Sequence, residues 1–235
     1  MKKNMITIVM AYYENGGMLD KHLSEWESYP AEIKKQFKAI IVDDGSRDDH
    51  AIGHIREIGL PISVYRIKKD IPWNQNGARN LAMTHAEGWC LMTDMDHLLT
   101  AENAKVLVFK KLKSKYAYRP MRILANGEDK KRHPNTYILH QKKYWEAGGY
   151  DERFCGYYGT DSTFRRQLKR ICKFVLTDEI KVVLYGREVI PDASTRRYGR
   201  KGTEYHISHY PMIKKLRKQG LTPIPPLNFE WEKLL

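Results

Sequence analysis

Apolar positions in the first hundred residues follow two alternating rhythms. Residues 5–13 are nearly continuous apolar and β-branched sequence, which predicts a strand buried on both faces. Gly16-Gly17 breaks it. Leu19, Leu23 and Trp26 then recur at helical spacing over residues 18–29, and Pro30 ends that run. Residues 37–42 predict a second strand, closed by the tight acidic turn Asp43-Asp44-Gly45-Ser46. Asp48 or Asp49 is placed to cap a helix carrying Ile52, Ile55 and Ile58. Strands are predicted over 62–67 and 89–93, and helices over 74–85 and 101–113.

This alternation of strand and helix predicts an α/β protein, with a mostly parallel sheet and helices on both faces. Ligands on such sheets sit at the carboxyl ends of the strands. Tyr12 to Glu14, Asp43-Asp44 and Asp94-Met95-Asp96 all fall at predicted strand ends, so three polar clusters distant in sequence should share one edge. Asp-Met-Asp supplies hard oxygen ligands for a divalent cation, although an acidic turn has the same letters.

After Lys113 the pattern changes. Strands are predicted over 116–125, 136–140 and 174–184, with a polar basic loop at 126–134 and a short helix over 142–147 ended by Gly148-Gly149. An aromatic, glycine-containing loop over 150–159 leads into a basic helix from Thr160-Asp161 to Arg170. Residues 186–205 read as loop, 211–219 as a short basic helix and 223–226 as an extended tail.

Charge separates the two halves. The chain carries +13 overall, but residues 1–104 hold 12 Lys+Arg against 15 Asp+Glu, whereas residues 105–235 hold 29 against 13. A basic second half points to an anionic partner: nucleic acid, a membrane surface or a phosphorylated glycan. The stretch 212–218 could form a short basic amphipathic contact with a membrane surface. There is no apolar run of spanning length and no leader-like segment. Three cysteines without Cys-x-x-Cys spacing predict a reduced, cytoplasmic setting.

Val42-Asp43-Asp44-Gly45-Ser46, Asn76-Gly77-Ala78-Arg79-Asn80, Asp94-Met95-Asp96, Gly148-Gly149-Tyr150-Asp151-Glu152 with Phe154, and Gly159-Thr160-Asp161 occur in that order. In this order they resemble GT-A glycosyltransferases, glycosyltransferase family 2 and its relatives, over about residues 5–185. The resemblance implies a Rossmann-like GT-A domain over 1–185. Its nucleotide-sugar half would be 1–104 and its smaller acceptor-side subregion 105–185, followed by a basic loop and tail over 186–235. It implies a hexosyl- or pentosyltransferase using a nucleotide-sugar donor, a UDP-sugar first, with Mn2+ or Mg2+ and inversion at the anomeric carbon. With the basic second half, its acceptor would be a glycan, a lipid-linked sugar at a membrane, or DNA bearing a hydroxymethylated base.

Carried over position by position, the resemblance makes Tyr12 and Glu14 line the nucleotide. One carboxylate of Asp43-Asp44 accepts from the base or ribose. Arg79 approaches the nucleotide or its phosphates. Asp96 ligates the metal, Asp94 contacts ribose or sugar or shares the metal, and His209 or His206 completes the metal shell. Asp161 serves as base; Thr160 stands where the pattern has Glu, which removes an acceptor-binding carboxylate. Trp145, Tyr157 and Tyr158 are candidates for stacking on a sugar or base. Arg196 and Arg197 lie in a basic stretch on the acceptor side that could also meet the leaving diphosphate. Each has a plainer alternative: Asp43 as a turn cap, Asp161 as a helix cap only, Trp145 as core. The positive end of the helix dipole favours the ionised form of Asp161, as a base requires. A nucleotidyltransferase would share the sheet and acidic site, but Gly16-Gly17 lacks the basic neighbours its phosphate loop needs. A nucleic-acid-binding module would use the basic half and leave the acidic cluster unexplained.

Overall fold

The computed structural model describes residues 3–156, 161–194 and 226–235. Ten strands form one sheet: β1 (Ile6–Tyr12), β2 (Phe37–Asp43), β3 (Ile62–Ile67), β4 (Trp89–Met92), β5 (His97–Leu98), β6 (Tyr116–Leu124), β7 (Asp129–Lys130), β8 (Tyr137–His140), β9 (Lys173–Leu184) and β10 (Trp231–Lys233). Their order in space is β10-β3-β2-β1-β4-β8-β6-β9-β5, with β7 beside β6. The block β3-β2-β1-β4 is parallel throughout, and β9 is parallel to β6. β8 is inserted antiparallel between β4 and β6, so the sheet changes character one strand beyond its centre.

Helices α1 (Gly16–Glu27), α2 (Ala31–Lys34) and α4 (Ala101–Phe109) cover one face. Helices α3 (Gln75–His85), α5 (Gln141–Glu146) and α6 (Asp161–Ile171) cover the other. Alternation along the strands divides the core accordingly. Ile6, Ile8, Met10 and Tyr12 of β1 meet α1, whereas Val9 meets the α3 side. On α1 one stripe of Met18, Leu19, His22, Leu23 and Trp26 is buried.

Several boundaries differ from the sequence expectation. Gly16-Gly17 opens α1 rather than separating it from β1. The helix expected over Ile52 to Ile58 is a single 3-10 turn, Ala51–His54, with the chain extended at Ile55. Gly53 at its centre weakens a helix by about 1 kcal/mol relative to alanine. α4 stops at Phe109, four residues short of the expected end. The C-terminal segment is not only a tail: β10 adds an antiparallel edge to β3. None of the described helices is long and apolar enough to cross a membrane.

Candidate active site

Strand register brings the expected clusters to one edge. Tyr12 pairs directly with Asp43, Val9 pairs with Met92, and the amide of Thr93 donates to the carbonyl of Val9 at 3.2 Å. β1, β2 and β4 therefore end side by side, and the loop Thr93–His97 leaves the sheet beside the turn 43–46.

Asp94 is the most heavily engaged residue of that loop. Arg79 Nη2 bonds its Oδ1, Gln75 Nε2 donates to the same oxygen at 3.3 Å, and His133 Nε2 lies 3.5 Å from Oδ2. Burial alone would raise the Asp94 pKa; Arg79, then His133 and His97, overcome it and hold the carboxyl at about 2. Burial likewise disfavours the charged form of Arg79, and the Asp94 carboxylate more than restores it, so the guanidinium stays charged inside the protein. Its face lies 5.0 Å from the Tyr150 ring centroid. Among the described residues, Arg79 Nε and Nη1 are buried without a hydrogen-bond partner.

Asp96 accepts from His97 Nδ1 at 2.6 Å, and the His97 ring lies 4.2 Å from that of His133. Burial pushes the His133 pKa down to about 3, so it is neutral there despite the pull of Asp94. His22 on α1 supports the loop from below, donating from Nε2 to the Met95 carbonyl at 2.7 Å.

Asp161 opens α6 and reaches the same space through Asn135, whose amide bonds its carboxylate. Tyr150 in turn donates its hydroxyl to Asn135 Oδ1 at 3.2 Å. Burial raises the Asp161 pKa; Arg79 and Asn135 oppose this, and Asp94 reinforces it. The helix N-terminus favours the ionised form, but desolvation is the larger effect and the net shift is upward. The net result is a carboxylate made more basic than normal. Asn80 fixes Tyr150: its Oδ1 accepts from the Tyr150 amide at 3.0 Å and the Tyr144 hydroxyl at 2.5 Å.

The carboxyl ends of β1 and β2 are built differently. Asp43 is fully buried and its two oxygens accept from the amides of Ser46 at 2.7 Å and Ala51 at 3.0 Å, which is the turn-cap arrangement. Asp44 is the adjacent carboxylate, 4% exposed. Glu14 accepts from the amides of Arg47 and Asp48 at 2.8 and 3.2 Å, and Tyr12 is buried with its hydroxyl on the Asp49 carbonyl. Both brace the pocket wall. Gly45 has φ +74, and a Cβ there would lie 2.9 Å from the Asp70 backbone, so the turn packs directly on residues 69–70. Arg66 closes the wall, donating to the Ser46 carbonyl at 3.2 Å.

Trp145 lies away from these groups. Its ring donates to the Met83 carbonyl at 3.3 Å and stands edge-on to Tyr144 in the core under α3. Tyr157, Tyr158, Arg196, Arg197, His206 and His209 lie outside the described residues, as do residues 212–218. Sequence reasoning missed Gln75, Asn135 and His133. Gln75 stands in the segment that opens α3, and the other two in a polar loop whose approach to Asp94 depends on the β4–β8 pairing.

This sheet order, with an acidic loop leaving β4, defines the GT-A class of α/β folds. Solved structures agree. Residues 1–349 of TarS from S. aureus superpose with a TM-score of 0.62 at 14% identity, covering 80% of this chain and 62% of that one. The same TarS fragment in complex with UDP-GlcNAc gives a TM-score of 0.62 at 14% identity over 91% of this chain and 64% of that one. A mannosyltransferase from Pyrobaculum calidifontis, solved with GDP-Man and Mn2+, gives 0.58 at 13% identity over 83% and 58%. The chain thus spans less than two thirds of the length of these structures, and at such identities the likeness establishes the fold. No protein-family model matches the chain, and no curated protein sequence does.

Proposed function

We propose that the protein is a glycosyltransferase that moves a sugar from a nucleoside-diphosphate donor, UDP-linked, to the hydroxyl of an anionic acceptor, with inversion at the anomeric carbon. The observation that carries this reading is the convergence of Asp94, Arg79 and Asp161 at the carboxyl ends of the strands. It joins a charge-stabilising arginine to a carboxylate poised as a base. The TarS complex with UDP-GlcNAc and the mannosyltransferase complex with GDP-Man and Mn2+ support the donor class.

In this reading residues 1–104 hold the donor and 105–185 present the acceptor. The acceptor oxygen attacks the anomeric carbon as the bond to the β-phosphate oxygen breaks. Asp161 takes the hydroxyl proton, a contribution of about 10²–10⁴-fold in rate. Arg79, kept charged beside Asp94, offsets the charge that develops on the leaving diphosphate.

The donor atoms fit a divalent cation in one way. Asp94 is spent on Arg79, Gln75 and His133, while Asp96 is engaged on one side by His97. Among the described residues no group of three or more ligating side chains is placed around one point. Mn2+ or Mg2+ characteristically binds through one or two carboxylates with substrate phosphates completing the shell, so Asp96 would hold it, with Asp94 beside it. When bound, the ion supplies neutralisation of the diphosphate.

All three cysteines are free thiols, which supports a reducing, cytoplasmic setting. The deciding experiment is a thermal-shift screen of UDP, GDP and ADP with Mn2+, followed by nucleotide release from the corresponding donor sugars. UDP is expected to raise the Tm most; no shift with any of the three overturns the reading.

A further inference from the structure

Tyr150 is fixed at its backbone and along its ring. Gly149, at φ +65, lies so close to α3 that a Cβ there would stand 2.9 Å from Asn80 Oδ1. Asn80 clasps the next residue from both sides: Oδ1 accepts from the Tyr150 amide at 3.0 Å, and Nδ2 donates to the Tyr150 carbonyl at 2.8 Å. The ring stacks on Phe164 of α6 at 4.4 Å, with the Arg79 guanidinium 5.0 Å from its centroid. The hydroxyl at the far end is delivered to Asn135 Oδ1, 3.2 Å away in the buried interior.

Asn135 is anchored by other means. Its neighbour Thr136 meets Thr93 at 3.1 Å, oxygen to oxygen, and His133 lies beside Asp94. The loop is thus tied to the end of β4, and the Asn135 side chain, 4% exposed, has one choice left. An amide carries a carbonyl on one side and an NH2 on the other, nearly alike in shape, so packing does not decide which faces Asp161. The partners decide it. With the NH2 toward Asp161, the amide donates to the carboxylate, as it does here. With the carbonyl toward Asp161, an acceptor faces an ionised acceptor away from water. A hydroxyl that donates to Oδ1 stabilises the first arrangement.

Tyr150 supplies that donor throughout. Burial raises its phenol pKa well above the ordinary value; Arg79 opposes this, and Asp161, Tyr137 and Tyr144 reinforce it. The hydroxyl therefore keeps its proton at any working pH. Asp161 is faced as well by Arg79 from α3, Asp94 from the loop after β4 and Tyr137 from β8.

We propose that Tyr150 is a positioning residue for the base: its hydroxyl selects the orientation of the Asn135 amide that presents N–H, and not the carbonyl, to Asp161. A carboxylate that accepts this bond is favoured in its ionised form, the form that takes a proton. The role in catalysis rests on the glycosyl-transfer reading, in which Asp161 is the base; the selection of the amide does not.

The test is a titration of the Asp161 carboxyl by 13C NMR in the full chain without added metal. Wild type, Tyr150→Phe, Asn135→Ala and the double variant are compared, with the signal assigned by its loss in Asp161→Asn. Tyr150→Phe keeps the ring on Phe164 and removes one oxygen. The Asp161 midpoint is expected to rise by about 0.5–1 pH unit, the contribution of one hydrogen bond. Asn135→Ala should raise it at least as far, and the double variant no further than Asn135→Ala, because Tyr150 acts through Asn135. An unchanged midpoint in Tyr150→Phe overturns the proposal, as does a Tyr150→Phe shift that persists undiminished in the Asn135→Ala background. A second measurement needs no Asn135 variant: the Asn135 side-chain N–H protons should exchange with water about tenfold faster in Tyr150→Phe, and equal exchange overturns the proposal.

The base itself is tested apart, by UDP release from UDP-GlcNAc with Mn2+ across pH. The acid limb of the profile should move in Tyr150→Phe by the same amount as the NMR midpoint. Midpoints that shift as expected beside an unmoved profile remove Asp161 as the base and leave the link from Tyr150 through Asn135 to Asp161 standing.

Discussion

Arg79 and Asp94 form an ion pair in which the guanidinium is 1% exposed and the carboxylate side chain 20% exposed. Burial disfavours the charged form of each, and the pair offsets that cost for both. Removing one partner of such a pair costs about 3–5 kcal/mol, because the other charge is left buried. Arg79→Met should therefore lower unfolding free energy in urea by that amount. Arg79→Met combined with Asp94→Leu should recover part of it. A single variant within about 0.5 kcal/mol of wild type would show that the pair is not needed for the fold.

A second expectation concerns the turn at the end of β2. Gly45 lies at φ +74 with the Asp70 Cα and the Lys69 carbonyl 2.9 Å from where a Cβ would stand. Gly45→Ala meets backbone, which cannot swing aside, and adds left-handed strain of about 1–3 kcal/mol. The displaced turn carries Asp44 and, through Ser46, the contact to Arg66. Calorimetry should show weaker UDP binding as well as a lower Tm. An unchanged Tm would mean that the turn and residues 69–70 move apart freely.

The metal assignment rests on Asp96 being engaged by His97 alone where Asp94 is engaged by Arg79, Gln75 and His133. Asp96→Ala should abolish the extra thermal stabilisation that Mn2+ gives in the presence of UDP, while the melting of the ligand-free protein changes little. Mn2+-dependent stabilisation that survives in Asp96→Ala would move the metal elsewhere.

How much of this was legible in the chain depends on distance and periodicity. β1, β2 and β4 could be read because they are largely apolar on both faces, and their ends could be read because Asp43, Asp94 and Asp96 follow the apolar runs closely. The turn at Ala51–His54 misled because Ile52, Ile55 and Ile58 sit three apart, a spacing that one 3-10 turn followed by extended chain also satisfies. β10 gave no signal: three residues have no period, and their pairing with β3 is made across more than 160 positions. His133 and Asn135 were hidden for the same reason, since a polar loop gains its meaning only when β8 lies down beside β4. The start of α6 at Asp161 was legible, but the direction of that residue's pKa was not, because its burial is a tertiary property.

That direction gives the sharpest test. The folded-state pKa of Asp161 is raised, so the folded protein prefers it protonated. As pH rises above the unfolded value, the unfolded chain ionises first, and the penalty on folding is complete once pH passes the raised folded value. At neutral pH Asp161 therefore costs stability, and below its unfolded pKa it does not. Asp161→Asn removes the charge and keeps an oxygen for Asn135 or for the helix end. The variant should be more stable than wild type at pH 7 and lose that advantage in acid. Its kcat should fall about 10²-fold or more, with UDP binding nearly unchanged. The wild-type kcat/KM should rise with pH through the raised pKa, on a limb above the ordinary carboxylate range, and that limb should vanish in the variant. A residue serving only as a helix cap would behave otherwise, since Asn caps about as well as Asp and turnover would survive. Near-wild-type turnover in Asp161→Asn, or a product of retained anomeric configuration by NMR, would remove Asp161 as the base of an inverting displacement.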